Sequence, residues 1–220
     1  MPNPAVRAVL WDFGGVMTES PFAAFRRFEQ ERGVPANFLR DINARNPDAN
    51  AWARFERSEL TPEAFDRAYA AETRAAGHEV RGLDVIDLLY GELRPEMVQA
   101  LRICKQHYAN ACVTNNVNAG AGRGIDRDRQ RGAECQAVLD LFDAVFESSK
   151  IGARKPEPRF FELVCKHLRI DPDQAVYLDD LGTNLKPARA MGMRTIKVED
   201  PATAIAELES ALAIALNRTA

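Results

Sequence analysis

The sequence predicts an α/β fold, a parallel sheet with crossover helices and an all-helical segment inserted after the first strand. Short apolar runs alternate with helix-length stretches, the pattern of parallel strands joined by crossovers. The stretch from about Glu19 to Gly91 has helical apolar spacing (Phe22, Phe25, Phe28; Trp52, Phe55; Phe65, Tyr69) and no strand-like run. Polar residues of chemical interest fall at the carboxyl ends of the predicted strands, where open α/β sheets form their ligand crevice.

In chain order, Val6 to Trp11 reads as the first strand, followed by the helical insertion. Pro95 suits the first turn of a helix whose Met97, Val98, Leu101 and Cys104 share a face. A strand near Ala109 to Val113 comes next. Residues 120–132 (GAGRGIDRDRQRG) combine glycines with dense charge and read as a solvated loop or fraying helix end, with a substrate-contacting loop as the alternative. Ala144 to Phe146, Ala175 to Leu178 and Thr195 to Val198 supply the later strands, with Gly192 placed to stop the helix before the last one.

A chain of 220 residues can bury one α/β core with a small insertion. Its 46% hydrophobic and 28% charged residues argue for packing rather than disorder. A formal charge of -3 gives no footprint for nucleic acid or an anionic membrane. The apolar opening is too short to span a bilayer and lacks a cleavage site, so the expected location is cytoplasmic. Cys104, Cys112, Cys135 and Cys165 have no CxxC spacing and form no ligand pattern with His78, His107 and His167, which argues against zinc and for reduced thiols. A monomer and a homodimer both fit the sequence.

Four segments carry the candidate chemistry: Asp12 in WDFGGVMT, Thr114 in VTNN, Lys155 in ARKPEP, and Asp179 and Asp180 in YLDDLGTN. Any one alone reads as a cap, turn or surface residue. Together they place three carboxylates at one sheet edge, where mutual repulsion demands cations. Lys155 supplies one charge, and magnesium, a hard ion that binds one or two carboxylates and keeps room for water and a phosphate oxygen, supplies two. A small phosphorylated substrate suits that arrangement. Asp12 would attack phosphorus, while the Thr114 hydroxyl, the Asn115 backbone amide and the Lys155 ammonium hold the transferring oxygens.

On these motifs the sequence resembles the haloacid dehalogenase superfamily, in its phosphatase-like branch related to the N-terminal domain of soluble epoxide hydrolase. The resemblance is closest in KPEPRFFE and VYLDDLGTNLKPARAMGMRTIKV, with FERSELTPEAF similar to part of that branch's helical cap. It implies a Rossmann-like three-layer core over residues 1–17 and 93–220 and a cap over 18–92. It also implies magnesium held by the Asp12 carboxylate, the Gly14 carbonyl and Asp180, with Asp179 close by. Asn184 stands at a position often acidic in the superfamily.

Gly14 departs from the branch, whose phosphatases carry a second aspartate there to protonate the leaving group and later activate water. General acid–base help of this kind is worth ~10²–10⁴ in rate, roughly 3 to 5 kcal/mol of barrier. Acyl and aryl phosphates should suffer its loss least, alkyl phosphates most. A second reading of Gly14 is structural, easing a tight turn around the metal. Dehalogenases of the superfamily also lack that aspartate, but they work without magnesium, which would leave the acidic pair without a counter-ion. A protein that binds a phosphorylated ligand without turnover is a further alternative. Phosphonate cleavage is excluded, because it needs a cap lysine and the first lysine here is Lys105. A signalling receiver domain is excluded by order, since its acidic pair precedes the phosphorylated aspartate. Arg26, Arg27, Arg54 and Arg57 read as a solvated helical face.

Overall fold

The structure, a computed structural model, describes residues 2–86, 88, 91–115 and 129–216. Among these, five parallel strands form one sheet: β1 (Ala8–Trp11), β2 (Ala109–Thr114), β3 (Ala144–Glu147), β4 (Ala175–Asp179) and β5 (Arg194–Lys197), in the order β3-β2-β1-β4-β5. β1 is central and wholly buried, as its unbroken apolar sequence requires. Its side chains alternate between two cores. Val9 and Trp11 join Met97, Leu101, Ile205 and Leu208 on one face, and Ala8 and Leu10 join Phe160, Phe161, Val164 and Leu185 on the other.

Helices α1 (Phe22–Arg32), α2 (Phe38–Ala44), α3 (Ala51–Glu56), α4 (Pro62–Ala75) and α5 (Gly82–Ile86) lie between β1 and β2, followed by α6 (Pro95–Cys104). After β2 come α7 (Arg129–Leu139), α8 (Ser148–Ile151), α9 (Pro158–Leu168), α10 (Gly182–Ala190) and α11 (Pro201–Leu212). α6 and α11 cover one face of the sheet, α9 and α10 the other, giving the α/β/α Rossmann-like layering. Met97, Leu101 and Cys104 are buried on α6 as the spacing predicts, with Ala100 and Ile103 beside them.

Several boundaries differ from the sequence reading, and β2, β3 and β4 each run one residue further, to Thr114, Glu147 and Asp179. β1 begins at Ala8, because Val6 N–H closes a turn onto the Asn3 carbonyl. β5 begins one residue early and ends at Lys197, although Val198 N–H still bonds the Asp179 carbonyl. Residues 120–128 of the charged loop lie outside the described residues, and 129–132 supply backbone to α7.

Helices α1 to α5 have a core of their own, built from Phe25, Phe28, Phe38, Leu39, Ile42, Phe55, Phe65, Tyr69 and Val85. Phe55 stacks on Phe65 with centroids 4.3 Å apart. Buried Glu29 accepts from the Asn37 and Leu39 amides at 2.9 Å and so closes the turn between α1 and α2. The entering and leaving strands of chain run side by side: Thr18 bridges Leu93, and Glu19 N–H donates to the Glu92 carbonyl at 2.8 Å. No helix among the described residues is long and apolar enough to cross a membrane.

Asp66 ties α4 to α5. Burial would raise its carboxyl, but Arg81 and the Leu83 amide donate to it and hold it below the ordinary value. A depressed carboxyl stabilises the fold above its unfolded value of about 3.9, and this contribution is lost as the pH falls through the native value. Asp66→Asn should therefore lower the melting temperature by a few degrees at neutral pH. The gap from the wild type should close below about pH 4 in a melting-temperature series.

Candidate active site

β1 and β4 are neighbours, and the chain leaves β1 toward β2 and β3 on one side and returns to β4 and β5 on the other. Their carboxyl ends therefore flank the switch point of the sheet, where open α/β sheets place their ligand site. Asp12 follows β1 directly, its N–H bonded to the Leu178 carbonyl of β4 at 2.9 Å. Asp179 ends β4 and Asp180 follows it.

The turn Phe13–Met17 sets the approach to this edge. Asp12 Oδ1 accepts from the Phe13 amide at 2.7 Å, and Arg94 Nη1 donates to the Gly15 carbonyl at 2.9 Å. Gly15 has φ +79°, and a Cβ built there would lie 2.2 Å from Asp180 Oδ2. Gly14 has φ −69°, and a Cβ there would meet nothing within 4 Å. The turn thus requires glycine at position 15 and not at 14, so the structural role considered for Gly14 belongs to its neighbour.

Lys155, 1% exposed, lies between two carboxylates, its Nζ 2.8 Å from both Asp12 Oδ2 and Asp179 Oδ2. Its backbone is clamped by the Asn115 side chain: Lys155 N–H donates to Oδ1 at 2.8 Å, and Nδ2 donates to the Lys155 carbonyl at 2.9 Å. Asp179 accepts further bonds from the Leu181 amide at 2.8 Å, from Asn184 Nδ2 at 3.1 Å to each oxygen, and from the Tyr177 hydroxyl. Asp180 accepts from Ser20 Oγ at 3.1 Å. One carboxylate oxygen each of Asp12, Asp179 and Asp180 lies within 4.8 Å of the others. Thr114, half-buried, ends β2 at the same sheet edge.

Burial raises the Asp12 carboxyl well above its ordinary value, and the Lys155 ammonium only partly offsets this. Burial, reinforced by the charge of Asp179, pushes Asp180 up to about 6. For Lys155, burial acts to lower the ammonium, but the carboxylates of Asp12 and Asp179 outweigh it and the net shift is upward. The buried Tyr177 phenol is raised well above its ordinary range, first by burial and then by the Asp179 charge, so it donates as a neutral hydroxyl.

Tyr177, Ser20 and the Asn115 side chain escaped the sequence reading. Tyr177 had a signal, because residues two apart on a strand share a face and Asp179 was already singled out. Ser20 had none. Of the four arginines, Arg26, Arg27 and Arg54 are exposed, while Arg57 is half-buried and pairs with Glu59 at 2.7 Å and Glu157 at 3.2 Å. Cys104, Cys112 and Cys165 are buried outside disulfides, with burial raising the Cys104 thiol to about 12.

This sheet, with an acidic cluster and a lysine at its switch point, is that of a hydrolase class. Residues 6–192 match the family model of haloacid dehalogenase-like hydrolases, and the chain belongs to that family. It is 34% identical to mouse (Mus musculus) acyl-CoA dehydrogenase family member 10 over 96% of the chain and 20% of that protein. It is 29% identical to pig (Sus scrofa) bifunctional epoxide hydrolase 2 over 98% of the chain and 40% of that protein. The chain thus spans between a fifth and two-fifths of the length of these relatives. A sesquiterpene phosphatase of Aspergillus oryzae is 25% identical, with 92% of this chain and 94% of that one covered. The fold is shared with a family enzyme of Bacteroides thetaiotaomicron, solved with magnesium and inorganic phosphate, at a TM-score of 0.57 and 20% identity over 89% of this chain and 96% of that one.

The two glycines should separate on substitution. Gly14→Ala should leave the melting temperature within a degree or so of the wild type. Gly15→Ala combines a left-handed residue with a clash on Asp180 and should cost about 1–3 kcal/mol or more in denaturant unfolding.

Proposed function

We propose that the protein is a magnesium-dependent phosphatase acting on a small phosphorylated metabolite through an aspartyl-phosphate on Asp12. The observation that carries this reading is the cluster of Asp12, Asp179 and Asp180 against the buried Lys155 ammonium. Three carboxylates and one lysine leave excess negative charge in a desolvated site, where burial first, and the neighbouring carboxylates second, raise Asp12 and Asp180. An all-oxygen donor set with uncompensated charge fits magnesium. Both Asp179 oxygens already accept from protein donors. We therefore assign the metal to the Asp12 carboxylate, the Gly14 carbonyl and Asp180, with Asp179 as the group that anchors Lys155. Bound there, magnesium would supply charge neutralisation for the carboxylate and the phosphoryl group.

In this reading Asp12 attacks phosphorus in line. An O–P bond forms as the bond to the leaving oxygen breaks, and the leaving group departs with its electron pair. Water then attacks the phosphorus of the aspartyl-phosphate, releasing inorganic phosphate and regenerating the carboxylate. Lys155, the Thr114 hydroxyl and the Asn115 backbone amide hold the peripheral oxygens while charge develops on them. Residues 1–17 and 93–220 act as the core, and residues 18–92 act as a cap that walls off the leaving group. The phosphatase relative from Aspergillus oryzae supports the reaction class.

Gly14 leaves the leaving group without a side-chain acid, and the open space beside it could hold one. The same glycine favours carbon–halogen cleavage as a second reading, and that reaction would survive chelation. Phosphate release measured across acyl, aryl and alkyl phosphates should stop with chelator and with Asp12→Asn. Acyl and aryl esters should turn over fastest, and Gly14→Asp should raise alkyl phosphate turnover by ~10²-fold or more. Absence of release from every class by folded, magnesium-loaded protein would overturn the phosphatase reading. It would favour dehalogenation if a 2-haloacid is consumed and ligand binding without turnover if not.

A further inference from the structure

The end of α3 docks onto the segment that carries Lys155. Glu56, the last residue of α3 and 5% exposed, pairs with Arg154 at 2.5 Å, and both side chains are largely shielded from solvent. Ser148 Oγ donates to the Glu56 carbonyl at 2.8 Å, and Ser58 Oγ donates to the Ser149 carbonyl at 3.0 Å. Arg154 Nη1 reaches the Pro47 carbonyl at 2.8 Å, and Arg57 Nη1 reaches Glu157 at 3.2 Å. Residues 47–58 of the helical insertion therefore grip residues 148–157 at several points.

The Glu56–Arg154 pair differs from the others in cost and in place. Burial raises the Glu56 carboxyl, and the Arg154 charge opposes that shift. A shielded pair of this kind offers little net stability against apolar packing, yet breaking it strands a charge. Arg154 also directly precedes Lys155, whose amide and carbonyl are both held by Asn115. The loop is thus anchored from two sides, by Asn115 in the core and by Glu56 in the insertion, with the ammonium of Lys155 between Asp12 and Asp179.

We propose that Glu56 and Arg154 are positioning residues whose ion pair couples docking of the helical insertion to the placement of Lys155. The proposal rests on the phosphatase reading for its catalytic consequence, but the coupling itself does not need turnover. With the insertion docked, Glu56 fixes Arg154 and the ammonium stays between its two carboxylates. When the insertion lifts, both charges rehydrate and the loop keeps its core anchors, the Asn115 clamp, the Lys155 ion pairs and buried Ala153, but loses those of the insertion. A site open to water would then hold Lys155 less firmly than a closed one.

Two readouts test this on the full chain: amide hydrogen exchange of segment 152–158 without substrate, and kcat and KM for an aryl phosphate. Glu56→Gln should speed exchange in 152–158 and lower kcat about 10- to 100-fold, with KM changed less than about threefold. The swapped pair Glu56→Arg with Arg154→Glu should restore protection and bring kcat back to within about fivefold of wild type. Unchanged exchange in 152–158 for Glu56→Gln overturns the proposal whatever happens to turnover, and so does a swapped pair that melts like wild type but restores neither readout. If the swapped pair does not fold, Arg154→Lys decides, since retained charge should preserve protection and most of kcat, and a loss equal to that of Glu56→Gln overturns the coupling. A wild type inactive on every ester would refute the phosphatase reading alone, leaving the exchange comparison to judge the pair.

Discussion

An ammonium with 1% of its surface exposed stays charged only because Asp12 and Asp179 each bring an oxygen to 2.8 Å. Desolvating a charge costs several kcal/mol, so the three groups are conditional on one another. Much of the surrounding structure maintains that condition. β1 and β4 must be adjacent for the two carboxylates to meet, and Asn115 at the end of β2 must hold the Lys155 backbone. Tyr177, Asn184 and the Leu181 amide hold the Asp179 carboxylate in place, because each donates to it. The five-stranded order is thus the arrangement that lets a buried lysine face Asp12 and Asp179 at once.

The fold was legible wherever burial leaves a one-dimensional trace. The unbroken AVLW of β1 reflects a strand covered on both faces, and the spacing of Met97, Leu101 and Cys104 reflects a helix covered on one. Asp12, Thr114, Lys155, Asp179 and Asp180 were legible for a related reason. A parallel sheet delivers all its strand ends to one edge, so Asp12, Thr114, Asp179 and Asp180 are brought together by topology without any contact being known, whereas Lys155 lies beyond β3 and α8 and reaches that edge on a loop clamped by Asn115.

What escaped depends on contacts between segments distant in sequence or on dihedral angles. Ser20 reaches Asp180 across 160 residues of sequence. The Asn115 side chain turned out to hold backbone, a role its position could not suggest. Arg57 has the spacing of a solvated helical residue, yet its guanidinium is spent on Glu59 and Glu157. The pairing of Glu56 with Arg154 was invisible for the same reason, since neither segment names the other.

The adjacent glycines after Asp12 divide architecture from chemistry. Gly15 is demanded by the approach of Asp180 and by a left-handed backbone, so its identity follows from packing. No such demand falls on Gly14, where a side chain would meet open space. The absence of a carboxylate there therefore bears on reaction rather than on folding. In the proposed reaction, with no side-chain acid at position 14, the proton for a departing oxygen would have to come from elsewhere. Burial meanwhile raises the Asp12 carboxyl, and the neighbouring Lys155 ammonium opposes that shift only in part. If Asp12 is the nucleophile, as proposed, reactivity would depend on how well cations hold it charged and on how readily the leaving group carries its own negative charge.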